Sequence, residues 1–358
     1  MNVLIAAGGT GGHLFPAEAL ANALRQKRYG VHLITDKRAK PFLESFPADT
    51  VHMVAASTLA GKNPVALAKM LITNFQGFVR SLLIIKKTKP DIAVGFGGYP
   101  TLAPLYAARV MNVCTLIHEA NAVAGRANRQ LAPFSHIATQ FRDVKGFTKW
   151  RSNNVVGMPV RPAVEAAASA YVPPDGRFRL LVFGGSQGAR AFADVVPPAI
   201  AALGKADRAR LLITQQCRPE DLERTRTAYE EAGVEAELAP FFKDLPARMA
   251  AAHFVVCRSG AGTVAELGVI GRPAFLVPLP GALDQDQAHN AAAFVDAGAG
   301  MMADQTTLTP QHLAGELTDV MADPDWLISA AEAARTFAKP HAAAELASLA
   351  EGLWELGQ

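Results

Sequence analysis

Glycine-rich segments stand at three points of the sequence where a short apolar run ends. They are residues 8–13 (GGTGGH), 95–100 (GFGGYP) and 184–190 (GGSQGAR). A glycine loop between a strand and a helix gathers unpaired N–H groups at the positive end of the helix dipole, which suits a phosphate or diphosphate. The first loop has Leu14 where the dinucleotide fingerprint requires a third glycine, and no loop carries the Gly-Lys-Ser/Thr of a P-loop. The alternative is that these loops are only tight turns.

Side chains that could move a proton lie close to these loops in the sequence. His13 ends the first loop, and residues 118–121 (HEAN) follow the apolar run 113–117. We expect these polar side chains at the C-terminal end of a strand, facing a cleft. HEAN begins like a zinc-binding HExxH helix, but Ala122 occupies the place of the second histidine, which argues against metal. The alternative for His118 and Glu119 is a structural loop network.

Carboxylates in the second half of the chain could contact a ribose, and those near residue 285 could hold a metal ion or sugar hydroxyls. In residues 257–266 (CRSGAGTVAE), Glu266 falls within the first turns of a predicted helix and could accept hydrogen bonds from both ribose hydroxyls. A plain charge that complements the helix dipole is the alternative. Asp284 and Asp286 have a spacing that could hold Mg²⁺ against a diphosphate. The glycine loops already offer charge stabilisation, so we favour a site without metal.

The elements that must position these residues alternate between strand and helix, which predicts parallel sheets covered by helices. Residues 158–176, rich in proline and glycine, indicate a domain boundary, after which the order of strand, glycine loop and helix repeats. We expect the three glycine loops to meet at the carboxyl edge of the first sheet. Strands are predicted near 3–7, 31–35, 91–95, 113–117, 179–183, 210–214, 253–257 and 274–277, and a last helix at about 340–356.

Length and composition bound the kind of protein. A chain of 358 residues, half of them hydrophobic and 19% charged, predicts two globular domains. The net charge of +3 is too small to indicate a nucleic-acid partner. Three dispersed cysteines indicate neither disulfides nor zinc and fit a reducing compartment. No apolar run reaches the roughly 18 residues of a spanning helix, and no signal peptide is evident, so we expect neither secretion nor a transmembrane segment.

Residues 64–89 combine a wide apolar side with a Lys-rich end. Apolar residues at spacings of three and four, among them Phe75, Phe78 and Leu82, normally indicate a helix that faces the core. Exposed aromatic and aliphatic side chains beside Lys86, Lys87 and Lys89 would equally suit the surface of an anionic bilayer. The sequence leaves both interpretations open.

Seven motifs, in their order and spacing, resemble one family. The chain is similar to the family 28 glycosyltransferases of the GT-B fold, and among them to the bacterial enzymes that add N-acetylglucosamine (GlcNAc) to undecaprenyl-pyrophosphoryl-N-acetylmuramyl-pentapeptide. The resemblance runs from residue 2 to about residue 300. The motifs are GGTGGH at 8–13, GFGGYP at 95–100, HEANAVAG at 118–125, GMPVR at 157–161, GGSQGAR at 184–190, CRSGAGTVAE at 257–266 and DQDQ with a following Asn at 284–290.

The resemblance implies an α/β fold of the GT-B type, in which two Rossmann-like, doubly wound parallel-sheet domains face each other across a cleft. It implies an acceptor-binding and membrane-facing domain at 1–160 and a UDP-GlcNAc-binding domain at 161–337. Residues 338–358 would form a helix that returns to the first domain.

Site residues follow from the same resemblance. The backbone near Phe242 would read uracil, Glu266 the ribose, Ser186 and its loop the diphosphate, and Arg161 a phosphate. Thr10, Asn121 and Gln287 would contact the donor sugar. The remaining donor-binding positions are Gly11, Gly12, Gln187, Gly188, Ala261, Gly262, Thr263, Val264 and Ala265; those for the acceptor are Gly97, Gly98 and Tyr99, and those for the membrane Phe75, Phe78 and Leu82.

The implied reaction inverts the sugar C1 without metal or cofactor. The acceptor 4-hydroxyl must lose a proton while charge grows on the departing UDP oxygen. His13 is the expected base because an ordinary imidazole pKa of about 6.5 suits proton acceptance near neutral pH. Glu119 is the alternative base, and His118 would orient the acceptor. Ala120 and Asp286 depart from the glutamines common in the family, which puts sugar contacts at those two positions in doubt.

The implied partners are UDP-GlcNAc, the undecaprenyl-linked acceptor lipid I, an anionic membrane surface and proteins of cell-wall synthesis. The implied location is peripheral, on the cytoplasmic face of the bacterial inner membrane. Three other functions stay open: a UDP-GlcNAc 2-epimerase of the same fold, a nicotinamide oxidoreductase that uses Asp36, and a non-catalytic scaffold that binds nucleotide sugars. The epimerase gives no reason for the apolar, Lys-flanked segment 64–89.

Overall fold

The computed structural model describes residues 1–44, 46–57, 63–147, 153–185, 189–281 and 285–357. The strands are β1 (Asn2–Ala6), β2 (Gly30–Thr35), β3 (Thr50–Met53), β4 (Ile92–Gly95), β5 (Cys114–Glu119), β6 (His136–Thr139), β7 (Asn153–Val155), β8 (Phe178–Phe183), β9 (Leu211–Gln216), β10 (Glu235–Ala239), β11 (Phe254–Cys257), β12 (Ala274–Leu276) and β13 (Gly300–Met302).

The helices alternate with these strands. They are α1 (Gly11–Gln26), α2 (Pro64–Thr88), α3 (Leu102–Val110), α4 (Arg126–Leu131), α5 (Pro162–Ala167), α6 (Arg190–Ala202), α7 (Lys205–Arg210), α8 (Leu222–Ala232), α9 (Leu245–Ala251), α10 (Ala261–Ile270), α11 (Asp286–Asp296), α12 (Pro310–Ala322), α13 (Pro324–Phe337) and α14 (Ala342–Glu355). The chain divides into two compact units: Met1–Arg161 with Pro340–Gln358, and Pro162–Lys339.

The first unit holds a seven-stranded parallel sheet in the order β3-β2-β1-β4-β5-β6-β7. Its central strands are apolar on both faces because helices cover both. Val3 and Ile5 of β1 pack in one cluster with residues of α1 and α14. Leu4 and Ala6, which alternate with them, pack in another cluster with residues of α2 and α3.

The second unit repeats the doubly wound arrangement. Its six-stranded parallel sheet has the order β10-β9-β8-β11-β12-β13. In the first unit the chain adds strands on one side of β1 (β2, β3) and then on its other side (β4 to β7), so the strand order reverses between β1 and β4. In the second unit the order reverses in the same way between β8 and β11. Open α/β sheets bind ligands where the loops of such a strand pair separate.

This topology separates the glycine loops. Residues 8–10 follow β1 and residues 96–98 follow β4, so these two loops lie side by side at the carboxyl edge of the first sheet. The loop that begins at Gly184 follows β8 and belongs to the second sheet. The expectation that all three loops meet at the first sheet is therefore wrong, because each unit builds its own sheet.

The last helix, α14, completes the first unit. Leu346, Ala347 and Ala350 are fully buried in the same cluster as Leu20 and Leu24 of α1. At the end of this contact, Glu351 accepts hydrogen bonds from Lys27 Nζ and Tyr29 Oη. Among the described residues, no helix is both long enough and apolar enough to cross a membrane.

Candidate active site

His13 lies where the two glycine loops of the first unit meet. Helix α1 begins at Gly11, so His13 stands in its first turn rather than in a loop. Its ring packs against the backbone that leaves β4. A Cβ atom added to Gly98 would lie 3.3 Å from His13 Nε2, and one added to Gly97 would lie 3.5 Å from Cε1. Both glycines have positive φ, 81° at Gly97 and 76° at Gly98, so the backbone conformation favours glycine at both positions, and the approach of the His13 ring is tight at Gly98.

The surroundings of His13 keep its imidazole neutral. Burial lowers the pKa of His13 and the nearby Arg38 cation lowers it further, while a hydrogen bond to the Phe96 carbonyl acts in the opposite direction. One ring nitrogen therefore donates its proton to the backbone, and the other is left as an acceptor. A neutral, oriented imidazole is the form that a general base requires.

Asp36, which follows β2, is engaged within the protein. Its carboxylate accepts hydrogen bonds from the backbone N–H of Arg38 at 3.1 Å and from Arg38 Nε at 2.8 Å. The carboxylate also packs tightly against Gly9, because a Cβ atom added to Gly9 would lie 2.0 Å from Asp36 Oδ1. A ribose of a nicotinamide cofactor would have to displace these contacts, which weakens the oxidoreductase hypothesis.

Glu119, the alternative base, is the centre of an internal network. It is 3% exposed and accepts four hydrogen bonds. Oε1 receives the Asn121 backbone N–H at 2.9 Å and Asn121 Nδ2 at 3.2 Å; Oε2 receives the Gly125 N–H at 2.9 Å and Asn128 Nδ2 at 2.8 Å. Burial raises the pKa of Glu119, and these hydrogen bonds oppose that rise. With its acceptor positions used by the 119–128 segment, this carboxylate shapes the loop that carries Asn121.

His118 is also used internally. It is 1% exposed, and its Nε2 lies 2.8 Å from the carbonyl oxygen of Gly157, which has a φ of +81°. Burial lowers the pKa of His118 to about 4, so the ring is neutral and donates to that carbonyl. His118 thereby fixes the end of β5 against the GMPVR segment. The sequence analysis expected this side chain to face a cleft, but the structure buries it.

The other predicted positions of the first unit lie nearer the surface. Thr10 is exposed and its side chain does not cap α1, while Gly12 has open space where a Cβ would stand. Tyr99 is 39% exposed at the start of the short 3-10 helix Tyr99–Thr101. The guanidinium of Arg161 stacks over the Phe15 ring, 5.0 Å from its centroid.

In the second unit, the CRSGAG motif joins β11 to helix α10. Gly260 precedes the helix, and Ala261, Gly262 and Thr263 form its first turn, where backbone N–H groups lack helical partners. The side chains of Val264 and Ala265 are buried, so only their backbone can meet a ligand. Glu266 is the sixth helical residue, beyond the first turn to which dipole effects are confined. This position favours the ribose interpretation over the helix-dipole alternative.

Gln287, in the first turn of α11, forms hydrogen bonds with two residues that precede this helix in the chain. Its Oε1 accepts the Leu279 N–H at 2.9 Å, and its backbone carbonyl accepts the Ser259 hydroxyl at 2.8 Å. Gln285, just before this helix, has a φ of +47°, an uncommon conformation for a residue other than glycine. The amide nitrogen of Gln287 is thus the end of the side chain that can meet a sugar hydroxyl as a donor.

Phe242 is buried beyond the end of β10. Its ring lies under the Arg248 guanidinium, 4.3 Å from the centroid, and Arg248 in turn pairs with Asp244 at 2.8 Å. The neighbouring Phe241 is 63% exposed. This turn lies at the carboxyl edge of the second sheet, and its aromatic side chains are suited to contact a flat base.

Some predicted positions lie outside the described residues: Ser186, Gln187 and Gly188 of the diphosphate loop, and Asp284 of the possible metal pair. Within the described part of the chain, no cluster of three or more His, Cys, Asp or Glu side chains could hold a metal ion.

Helix α2 presents an apolar face to solvent. Phe75 is 66% exposed and Leu83 is 63% exposed. The opposite side is buried, and at Gly77 it lies so close to the rest of the unit that an added Cβ would be 2.3 Å from the Ala55 carbonyl oxygen. Phe78 and Leu82 pack against the core on that side. They were predicted to contact the membrane, and their packing in the first unit argues against that role. We define the α2 face by its exposed apolar side chains, which are Val65, Leu67, Leu71, Ile72, Phe75, Val79 and Leu83.

Two residues that hold candidate site residues in place were missed in the sequence. Asn128 donates from Nδ2 to both Glu119 and the His118 carbonyl; an asparagine, a poor helix former, inside the short helix α4 was the available signal. Ser259 links β11 to Gln287 and was visible only as part of the CRSGAG motif.

Comparisons with known proteins agree with this architecture. Residues 3–139 match the glycosyltransferase family 28 N-terminal domain, and residues 179–346 match the glycosyltransferase family 28 C-terminal domain. A Brucella canis protein named UDP-N-acetylglucosamine--N-acetylmuramyl-(pentapeptide) pyrophosphoryl-undecaprenol N-acetylglucosamine transferase is 54% identical over 98% of this chain and 94% of its own length. A Brucella abortus protein of the same name is 53% identical over the same shares.

Solved structures of related proteins have the same fold. The crystal structure of Acinetobacter baumannii MurG matches with a TM-score of 0.81 and 29% identity, over 98% of this chain and 100% of that one. A putative UDP-N-acetylglucosamine 2-epimerase from Listeria monocytogenes matches with a TM-score of 0.67 but 14% identity, over 96% and 93%, which shows a shared fold alone. The predicted GT-B class is confirmed, and the chain belongs to glycosyltransferase family 28.

Proposed function

We propose that this protein transfers GlcNAc from UDP-GlcNAc to the 4-hydroxyl of the N-acetylmuramyl group in lipid I, giving lipid II for peptidoglycan synthesis. The observation that carries the proposal is 54% identity over nearly the whole length of a relative whose name states the donor sugar and the lipid-linked acceptor. The residues at the carboxyl edges of both sheets are suited to this chemistry. The epimerase alternative has only a likeness of fold behind it.

In the proposed reaction His13 is the general base. Its neutral imidazole accepts the proton of the acceptor 4-hydroxyl as the oxygen attacks C1 of GlcNAc from the side opposite UDP, which inverts that carbon. Gly97, Gly98 and Tyr99 form the acceptor side of this position. Glu119 and His118 act as positioning residues, because their hydrogen bonds hold the loop with Asn121 and the segment at Gly157.

The second unit holds the donor in this proposal. Glu266 accepts hydrogen bonds from the ribose, the turn at Phe242 receives uracil, and the N-termini of α6 and α10 face the diphosphate. Charge on the departing UDP oxygen is stabilised by these N–H groups, so the reaction runs without a metal ion. Gln287, Thr10 and Asn121 contact the sugar, and Arg161 a phosphate.

The proposed location is the membrane surface on the cytoplasmic side. The α2 face offers apolar side chains to the bilayer, and the helix carries Lys69, Arg80, Lys86 and Lys87 with no acidic residue. Such a helix binds an anionic surface by apolar burial and charge together. This brings the enzyme to its undecaprenyl-linked acceptor.

The test is transfer of labelled GlcNAc from UDP-GlcNAc to a short-chain lipid I analogue, with and without EDTA. We expect disaccharide product in both tubes. Product only without EDTA would overturn metal independence. Conversion of UDP-GlcNAc without acceptor would identify the epimerase instead, and donor binding without any turnover would leave the scaffold function.

A further inference from the structure

Three cations lie close together where the chain leaves β2. Lys37, Arg38 and Lys40 belong to the 3-10 helix Lys37–Phe42, and all three side chains are exposed. We call residues 37–40 the basic segment. Because β2 is the parallel neighbour of β1, the basic segment lies at the same carboxyl edge as His13. These cations have no part in the reaction proposed above.

The two lysines of the basic segment have no acidic partner among the described residues. Asp36 is occupied by Arg38, whose Nη2 lies 2.7 Å from Oδ2 and whose Nε donates to the same oxygen at 2.8 Å. No ion pair between described residues involves Lys37 or Lys40. The basic segment therefore presents two positive charges to solvent.

Packing fixes the basic segment against the first glycine loop. A Cβ atom added to Gly9 would lie 2.6 Å from Arg38 Cβ and 2.9 Å from the Ala39 backbone nitrogen. Ala39 is fully buried in the cluster that includes Leu14 and Ala17 of α1. The basic segment thus lies on the side of the sheet that α1 covers, whereas α2 packs in the cluster on the other side.

Three loops follow neighbouring strands along the carboxyl edge of the first sheet. The basic segment follows β2, residues 8–10 follow β1 and residues 96–98 follow β4. Since neighbouring strands lie about 4.8 Å apart, the basic segment is roughly 10 Å from the loop after β4, and the loop that leads to His13 is between them. A sugar ring held at His13 would have the basic segment within reach of its substituents.

The substituents of the acceptor sugar leave its ring at different ends. A muramyl group carries its lactyl ether, and therefore its peptide, on O3, next to the reacting 4-hydroxyl. The diphosphate is on C1, at the opposite end of the ring. Since the α2 face meets the membrane in the proposed function, the lipid end of the ring points toward α2. The peptide then leaves on the other side, where the basic segment lies.

We propose that Lys37 and Lys40 form a subsite for the carboxylate groups of the acceptor's peptide, and that the pair of Arg38 and Asp36 holds this subsite in place. The inference rests on the proposed function, which supplies an acceptor with a pentapeptide. A peptide that is joined through its amino end has a free C-terminal carboxylate. Five extended residues span up to about 17 Å, so this group can reach the basic segment. Lysines meet such a group as flexible point charges.

The test compares two acceptors and a small set of variants. One acceptor is the short-chain lipid I analogue, and the other is the same molecule with every carboxylate of its peptide amidated. Lys37→Gln combined with Lys40→Gln removes both charges and leaves Arg38 in place. Lys205→Gln is the control, because Lys205 is an exposed lysine of the second unit, at the first position of α7. The single variants Lys37→Gln and Lys40→Gln match its change in charge.

The experiment measures KM and kcat for both acceptors at saturating UDP-GlcNAc. Exposed ion pairs are weak, so we expect the double variant to raise KM for the carboxylate-bearing acceptor about 3- to 10-fold and to keep kcat within about twofold. Its KM for the amidated acceptor should equal that of the unaltered protein. Added salt should raise KM for the carboxylate-bearing acceptor in the unaltered protein and have less effect in the double variant. Lys205→Gln should match the unaltered protein with both acceptors.

Equal changes in KM for the two acceptors would overturn the proposal, as would a loss of kcat alone or an unchanged KM for the carboxylate-bearing acceptor. A complete lack of transfer to either acceptor by the unaltered protein would instead overturn the proposed transferase function.

Discussion

His13 and Glu119 differ in what remains available to a substrate. Both follow the pattern of the sequence, an ionisable side chain at the end of a strand or in the first turn after it. The Glu119 carboxylate is surrounded by four donors of its own loop, whereas the His13 ring gives one proton to the Phe96 carbonyl and keeps one acceptor nitrogen. A base needs an acceptor atom that is not already bound to the protein, and a positioning group does not. No sequence pattern shows how many acceptor sites of a side chain are already occupied.

Replacement of the base should affect turnover more than binding. We expect His13→Ala to lower kcat by about 10²- to 10⁴-fold with UDP affinity nearly unchanged, because only proton transfer is lost. Glu119→Gln keeps the size of the side chain but turns an NH2 group toward two of the loop's N–H donors, so part of the network is lost. Because His13 can still accept the proton, the loss of kcat should be smaller than for His13→Ala. Single-turnover transfer to the lipid I analogue measures both; a larger loss for Glu119→Gln would exchange their roles.

The pH profile should report the lowered pKa of His13. A base acts in its neutral form, so the rate falls when pH drops through its pKa. Because burial and Arg38 lower that pKa below the ordinary imidazole value, we expect the acid limb of kcat/KM below about pH 6.5. A profile recorded between pH 5 and 8 with its limb above 6.5 would contradict the assignment.

Glu266 should be coupled to the ribose hydroxyls. We expect Glu266→Ala to weaken UDP binding by about 10- to 100-fold, as for the loss of charge-assisted hydrogen bonds. The same substitution should have little effect on binding of 2′,3′-dideoxy-UDP, which lacks the two hydroxyls. Equal losses for the two nucleotides would show that Glu266 stabilises the helix rather than the ligand.

Helix α2 shows how far periodicity reaches at the scale of an element. The apolar spacing predicted the helix, but its apolar residues extend too far around the axis for the sequence to say which side is buried. The deciding residues are small: Gly77 meets the Ala55 carbonyl, and Ser81 hydrogen-bonds to the Gly77 carbonyl at 2.7 Å. This contact turns Phe78 inward and Phe75 outward.

The two phenylalanines should therefore respond differently to the same substitution. Phe75→Ser removes exposed apolar surface and should reduce binding to vesicles that contain anionic lipid, without lowering the melting temperature. Phe78→Ser should lower the free energy of unfolding, by up to roughly 3 kcal/mol because the ring is only partly buried, and should lower the melting temperature accordingly. Vesicle sedimentation and thermal unfolding distinguish them; equal vesicle binding by Phe75→Ser and the unaltered protein would exclude the α2 face.

Four of the five strands absent from the sequence analysis share a physical reason; the fifth, β6, is the inner neighbour of the edge strand β7. β3, β7, β10 and β13 are the outermost strands of the two sheets, and β7 (NNV) and β10 (EAELA) lack the continuous apolar run of a strand covered on both faces. The central strands, which carry the glycine loops, were predicted because they are apolar throughout. The sequence therefore located the switch points better than the sheet edges.

For the whole molecule, the first unit depends on a helix from the far end of the chain. Truncation after Lys339 would remove α14 and expose the α1 surface around Leu20 and Leu24. We expect a loss of about 5 kcal/mol in the stability of the first unit from the uncovered apolar area. UDP binding by the second unit should persist. Calorimetric unfolding with and without UDP checks this; an unchanged thermogram would contradict the packing of α14.

The same discontinuity sets an order of events on the ribosome. The sheet and α1 are synthesised early, yet the helix that closes their core emerges only after all of Pro162–Lys339 has been translated. At usual elongation rates this interval lasts roughly 10 to 40 s. For that time we expect the nascent first unit to leave its apolar surface at Leu20 and Leu24 uncovered, which is the kind of surface that chaperones bind.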